Sequence, residues 1–394
     1  LKYLTPTVWI LSVVSLFTDM ASEMLYPVMP IYLQSIGFSI LLIGILEGVA
    51  EACAGLSKGY FGRLSDASGR RLPFVRVGYA LSALSKPLMA LYVWPLWVFM
   101  VRTIDRLGKG LRTGARDALL SDEATAATKG RVFGFHRAMD TLGAVIGPSL
   151  ALLWLHYYPS VYRSLFFMAL VPGVLAVIFL YFIRESARAP IAVKPSFSVL
   201  HFLRYWNTAP SGFRRLLPGL LVFALFNSSD VFLLLQTKQS GITDTGVIGL
   251  YIFYNLIYAL AAFPMGILAD KLGLKKIFLL GLFIFCMVYM GMAVAHTLTG
   301  YATLFFLYGI YAAATEGVSK AWVSRLVPAT ETATALGSYA GLQSLCAMLA
   351  SSLAGFIWYA WGAATLFAIS AAMALLVIFY IAMSVPAPVV GEEK

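Results

Sequence analysis

Charge is what this sequence has least of. Aspartate, glutamate, lysine and arginine make up 12% of its 394 residues, about half their share in an ordinary soluble domain. Cysteine is scarcer still: Cys53, Cys286 and Cys346 lie inside apolar runs, are odd in number and form no C-x-x-C spacing. That excludes a disulfide framework and a thiolate metal site, and makes three free, inert thiols the expectation. The chain is read as lacking the phosphate loop G-x-x-x-x-G-K-[ST], the zinc motif H-E-x-x-H and a G-x-S-x-G nucleophile turn, so neither ATP drive nor hydrolytic catalysis has its residues. No charged leader or small-residue cleavage site precedes the first apolar run, which is read as retained. No cofactor and no bound metal are expected.

Apolar residues are what is there: 60% of the chain is hydrophobic and the mean hydropathy is +0.83. One crossing of the hydrocarbon takes about 20 apolar residues. Apolar segments punctuated by Gly, Pro and charge run over 8–32, 38–62, 73–94, 95–120, 131–155, 161–183, 215–238, 245–269, 275–297, 299–324, 333–358 and 362–385, which predicts an all-α integral membrane protein of twelve spanning helices. No soluble domain is left over.

The formal charge of +11 raises nucleic acid as a partner, but the basic residues lack an aromatic-interleaved, groove-reading pattern and sit between the spans. Alternate connections collect them: Arg63, Arg70, Arg71 and Arg76; Lys129 and Arg131; Arg184 through Arg215; Lys271, Lys275 and Lys276. The positive-inside rule then places both termini and the long middle loop in the cytoplasm of a multi-pass cytoplasmic-membrane protein. That loop, with Pro, Ser and basic residues, reads as a linker (184–214) between a first half (1–183) and a second half (215–388), followed by a tail (389–394). Its stretch VLHFLRYW is expected to lie on the membrane surface.

The halves echo each other. GRLSDASGRR at 62–71 returns about 204 residues later as GILADKLGLKK at 266–276, and FGFHRAMDTLGAVIG at 133–147 aligns with LGSYAGLQSLCAMLA at 336–350. Parallel duplication of two halves, with a site near the bilayer midplane, is one architecture of secondary transporters. The loop G-x-x-x-D-x-x-G-R-R, here Gly62, Asp66, Gly69, Arg70 and Arg71, with its copy Gly266, Asp270, Lys271, Gly273, Lys275 and Lys276, resembles the signature of the major facilitator superfamily of secondary transporters. The resemblance covers nearly the whole chain. It implies twelve helices in two pseudo-symmetric six-helix halves, a monomer, and a cytoplasmic charge cluster that must break for the halves to rock. Ala67 departs from the pattern, standing where the family usually has a basic residue. GAVIGP on helix five (Gly143, Gly147, Pro148) resembles the superfamily motif associated with exporters, and favours efflux.

Charges inside spans are costly and are functional candidates by default. Helix one offers Asp19 and Glu23 and helix two Glu47 and Glu51, each pair four residues apart on one face. The first pair either carries a proton or is satisfied by an arginine of helix four; the second either pairs with basic residues of the first half or joins the proton path. Arg102, Asp105, Arg106, Lys109, Arg112 and Arg116 form a stripe along helix four at three- and four-residue steps. It offers partners to those carboxylates and cationic groups for an anionic substrate, with Arg116 and Asp117 read as a solvated helix end. Arg102 stands for the arginine that the superfamily carries on helix four, although its spacing to Gly108 and Gly110 departs from the family's. Lys86 is read as paired with a helix-two glutamate or snorkelling. Helix five adds Arg137 and Asp140, helix seven Asn227 and Asp230, and helix ten Glu316 and Lys320.

Proton coupling or cavity charge is thus expected of Asp19, Glu23, Glu47, Glu51, Asp105, Asp140, Asp230 and Glu316. Substrate contact is expected of Arg102, Arg106, Lys109, Arg137, Asn227, Tyr251, Tyr254 and Lys320, with small-molecule substrate, protons and the lipid bilayer as the partners. The function read from this is proton-coupled movement of a small anionic or zwitterionic organic solute by alternating access. A metal or metal-chelate carrier using Asp19, Met20, Glu23 and Met24 is the alternative, and a membrane enzyme or receptor on a transporter frame the third.

Overall fold

The computed structural model describes residues 4–26, 29, 32–33, 36–38, 40–158, 161–185 and 205–385. They form twelve long helices, numbered here one to twelve: Pro6–Glu23, Ile40–Ser68, Leu72–Leu91, Pro95–Asp122, Lys129–Tyr157, Tyr162–Leu180, then a seventh in two pieces, Ser211–Phe226 and Asp230–Gln239, and Asp244–Leu272, Leu274–Met292, Leu298–Arg325, Thr332–Trp361 and Ala363–Ser384. Eight spans among the described residues are long and apolar enough to cross a membrane by length and composition. Helix four falls short of that measure because its charged stripe interrupts the apolar run.

Helix starts follow capping chemistry. Thr5, Thr243 and Thr297 each precede a helix and accept a first-turn N–H, from Val8, Gly246 and Gly300 at 3.3, 3.2 and 3.1 Å, satisfying donors that no helix can bond internally. The break in helix seven is a departure from the continuous span expected over 215–238. Asn227 closes the first piece with extended backbone, and Ser229 caps the second, so the string Asn-Ser-Ser-Asp acts as an end and a new start inside an apolar run.

Two compact units emerge: residues 1–123, 139–208 and 328–341 in one, and 124–138, 209–327 and 342–394 in the other. In the first, helix four packs on helices two and three, helix three on six, and helix one on six. In the second, helix ten packs on eight and nine, helix nine on twelve, and helix seven on twelve. Each of these four contacts in the first unit has its counterpart six helices later, which is the structural content of the sequence repeat.

Small residues set the closest approaches, as expected where helices cannot gain from expelling water. A side chain at Gly147 would stand 2.5 Å from the Met20 carbonyl oxygen, and one at Gly143 would strike that of Leu16. Helix five therefore lies directly on helix one through the GAVIGP motif. Gly143→Val should cost about 1–3 kcal/mol through overpacking, read as a lower unfolding temperature in detergent. Gly249→Ala, with nothing within 4 Å, should leave that temperature unchanged or raise it.

Candidate functional site

The duplicated loop explains itself residue by residue. In the first copy Asp66 is buried, and its Oδ2 accepts the Thr334 N–H at 2.7 Å and the Thr334 hydroxyl at 2.8 Å, at the start of helix eleven. Gly62, one turn earlier on the same face, lies so close to Ala333 that any side chain would meet its carbonyl oxygen. In the second copy Asp270 accepts the Gly130 and Arg131 N–H groups, both at 2.8 Å, at the start of helix five, and Gly266 meets Gly130 as Gly62 meets Ala333. The four-residue step from Gly to Asp thus places a bare backbone and a carboxylate on one face, against the positive end of another helix.

Gly69 and Gly273, at φ of 66° and 103°, supply the left-handed turn that follows each aspartate. Arg71 then reaches back to Asp66 at 3.1 Å, on to Asp122 at the end of helix four, and donates to the Ala329 carbonyl at 2.8 Å. Its counterpart Lys275 caps the end of helix twelve through the Ala382 and Val385 carbonyls. Arg70, Lys271 and Lys276 are exposed. A further contact joins the same region: the Tyr205 hydroxyl donates to Glu331 at 3.0 Å, and burial, then the neighbouring Glu331 carboxylate, push that hydroxyl's pKa up.

Inside the first unit, the carboxyl groups of Asp19 on helix one and Asp140 on helix five lie close enough to act on each other, and the Ser15 hydroxyl donates to Asp140. Two carboxyl groups can bond each other only when one of them carries a proton. Glu23 and Lys109 are near enough to act on Asp19 electrostatically. The helix-four stripe is engaged largely by helix three: Asp105 takes Lys86 at 3.7 Å, Arg102 at 3.5 Å and the Ser85 hydroxyl at 3.2 Å. Arg112 donates to Ser82 at 2.7 Å and lies 4.4 Å from the centre of the Tyr79 ring.

The break in helix seven organises the second unit. Asp230, first residue of the second piece, accepts the hydroxyls of Tyr308 at 2.7 Å and Tyr254 at 3.1 Å. Asn227 donates to Tyr311 at 3.0 Å and Ser228 pairs with Tyr289 at 3.1 Å. Arg137 bonds the Tyr258 hydroxyl and stands 5.2 Å from that ring, while Tyr254 stacks on Tyr258 and touches Tyr251 and Tyr308. Glu316 and Arg137 both act electrostatically on Asp230.

Comparison with known proteins decides what carries these features. The Major Facilitator Superfamily model matches residues 11–251 and 216–394. The chain belongs to the Major Facilitator Superfamily. An uncharacterised superfamily transporter of Methanocaldococcus jannaschii is 34% identical over 363 residues, 91% of this chain and 89% of that one. A multidrug resistance efflux pump PmrA homologue of Lactococcus lactis is 23% identical, with 87% of each chain covered. The crystal structure of the human organic anion transporter MFSD10 superposes with a TM-score of 0.81 at 17% identity, over 95% of this chain and 99% of that one. This chain is therefore a membrane transporter and not an enzyme.

Within the superfamily frame the candidate residues fall into distinct groups. Asp19, Asp140, Glu23 and Lys109 come together, as do Asp230, Asn227, Tyr254, Tyr251, Arg137 and Glu316. Arg102 and Asp105 belong to the group shared with helix three. Arg106 and Lys320 are partly buried on helices four and ten, and the side chains of Glu47 and Glu51 lie outside the described residues. So does VLHFLRYW except for Tyr205 and Trp206. Asp117, read as solvated, is buried and paired with Arg116 at 2.8 Å, because helix four remains inside the helix bundle to its end. Lys86 is buried and pairs with Asp105, so it does not snorkel. Gly55-Leu56-Ser57-Lys58-Gly59 does satisfy G-x-S-x-G, but it lies inside helix two, where Ser57 bonds the Ala54 carbonyl at 3.0 Å. A nucleophile elbow needs a strand-to-helix turn. Met24 lies in an apolar core cluster, and no group of three or more His, Cys, Asp or Glu that could hold a metal occurs among the described residues.

Sequence reasoning missed Ser15, Tyr79, Ser82, Ser228, Tyr289 and Thr334. For Thr334 a signal existed, since Pro-Ala-Thr-Glu-Thr before an apolar run is a helix start. Removing Asp66 strips Arg71 and the helix-eleven start of their shared partner. Asp66→Ala should cost about 3–5 kcal/mol, against about 1 kcal/mol for Thr334→Val, which loses one hydroxyl bond. Thermal unfolding of the two variants in detergent checks the order.

Proposed function

We propose that this chain is a proton-coupled exporter of a small anionic or zwitterionic organic solute. The observation that carries the reading is the close approach of the Asp19 and Asp140 carboxyl groups, with the Ser15 hydroxyl donating to Asp140. A carboxyl pair sharing one proton, inside helices whose surroundings penalise charge, is a site that loads and unloads a proton as its access to water changes. Lys109 of helix four supplies a cation near the pair.

For the solute, Arg137 offers a guanidinium already oriented on Tyr258, and Asp230 with its tyrosines offers a counter-charge for an amine. Such a set suits a carboxylate at one end, with or without an ammonium at the other. The organic anions named for the human structural relative and the efflux named for the Lactococcus relative agree with substrate class and direction. Helix five's close fit to helix one through Gly143 and Gly147 adds the exporter-type motif. We assign the two loop copies the role of a cytoplasmic gate, with both termini on the same side.

Purified protein in proteoliposomes, loaded with a panel of organic acids and amino acids and given a pH gradient, tests this. Gradient-driven solute movement is expected for at least one acid or amino acid, with Asp19→Asn and Asp140→Asn reducing it to the level of empty liposomes. Movement that ignores the gradient, or survives both substitutions, would refute the coupling.

A further inference from the structure

Where helix three starts and helix six ends, beside the first loop copy, the protein carries a cavity of about 380 Å³ whose lining includes Arg70, Leu72, Arg76, Ile183, Arg184 and Glu185. Three guanidinium groups face one carboxylate there, and that carboxylate is engaged: Glu185 accepts the Arg71 and Leu72 N–H groups at 2.7 and 2.8 Å, capping helix three. Arg76 leans on the Leu180 and Ile183 carbonyls at 3.3–3.4 Å and stands 4.9 Å from the Tyr181 ring centre. Arg70 and Arg184 are exposed. The chain that follows, 186–204, adds Arg188, Lys194 and Arg204 and no acid.

A second feature gives the class of anion. From the cavity an apolar strip runs along both helices: Val77, Leu84 and Leu91, seven residues apart on helix three, and Val171, Ile178 and Phe182 on or just past helix six, are all exposed. Helices three and six pack against each other, so the strip is continuous with the basic cavity. Exposed Tyr181, 68% accessible, lies at the junction, where aromatic rings mark the boundary of hydrocarbon and water. A free phosphate would use the cavity and leave the strip bare; a diacyl lipid would use both.

We propose that this cavity is a specific site for the phosphodiester headgroup of an anionic phospholipid, whose acyl chains lie along helices three and six. Basic pockets between spanning helices bind such headgroups by charge, each arginine contributing at the surface. Through Arg70 and the capped start of helix three, an occupant would rest directly against the first loop copy. The site is independent of what the transporter carries.

The test uses purified full-length protein in detergent, given dioleoyl phosphatidylglycerol, dioleoyl phosphatidylcholine or inorganic phosphate. Native mass spectrometry reads the lipid retained, and thermal unfolding reads stabilisation. Phosphatidylglycerol should be retained in preference and raise the unfolding temperature; phosphatidylcholine and phosphate should not. Arg70→Gln with Arg184→Gln should lower the preference about fivefold per arginine, while Arg214→Gln with Arg215→Gln, two exposed arginines at the start of helix seven, should leave it intact. Arg184→Gln alone makes the same point should the double variant fail to fold. Equal retention of the two lipids, a full effect of phosphate alone, or a preference that survives loss of Arg184 would each overturn the proposal.

Discussion

A carboxylate set against the open N–H groups of a helix start is the contact on which this architecture turns, and the chain makes it twice. Helix starts carry unsatisfied donors and the positive end of the macrodipole, so an aspartate there is held by several charge-assisted bonds at once. Asp66 takes the start of helix eleven and Asp270 the start of helix five. Each needs a glycine one turn earlier, since a single methyl group at Gly62 or Gly266 would push the backbones apart. The spacing of the loop motif is therefore a packing requirement and an electrostatic one together. At an aqueous edge, water can replace either partner, which makes such a contact both firm and exchangeable.

Deeper in the helices that exchange is lost, and the protein balances charge within itself. Asp105 gathers Lys86 and Arg102, Arg112 rests on Ser82 and the Tyr79 ring, and Asp230 is held by two tyrosine hydroxyls. Between Asp19 and Asp140, which lie side by side, the proposed balance is a shared proton. On that proposal the difference separates a structural ion network from a site able to change its charge during a cycle. Most of the helix-four stripe belongs to the first kind: Arg102, Arg112 and Arg116 each have a partner within the protein.

Much of the architecture was legible in the sequence because its signals are periodic or repeated. Apolar runs of membrane-spanning length, alternate basic connections and a 204-residue repeat each point to the twelve-helix fold. The loop motif also announced which residues mattered, though not what Asp66 and Asp270 hold, since Thr334 and Gly130 lie in distant sequence. Helical spacing places side chains on a face of their own helix and says nothing about which neighbour that face meets. Hence the proximity of Asp140 on helix five to Asp19 could not be read from helix one alone, and Asp117 was read as solvated from its position near a helix end. The break at Asn227 was hidden for another reason: four polar residues within an apolar run barely alter its average hydropathy, yet two of them are caps.

The claim most worth direct measurement is that Asp19 and Asp140 share a proton. Infrared difference spectra of the protein in membranes, compared with Asp19→Asn and Asp140→Asn, should show a protonated-carboxyl stretch at neutral pH that either substitution removes. A wild-type spectrum without that band, or one unchanged in both variants, would contradict the account of how this transporter is driven.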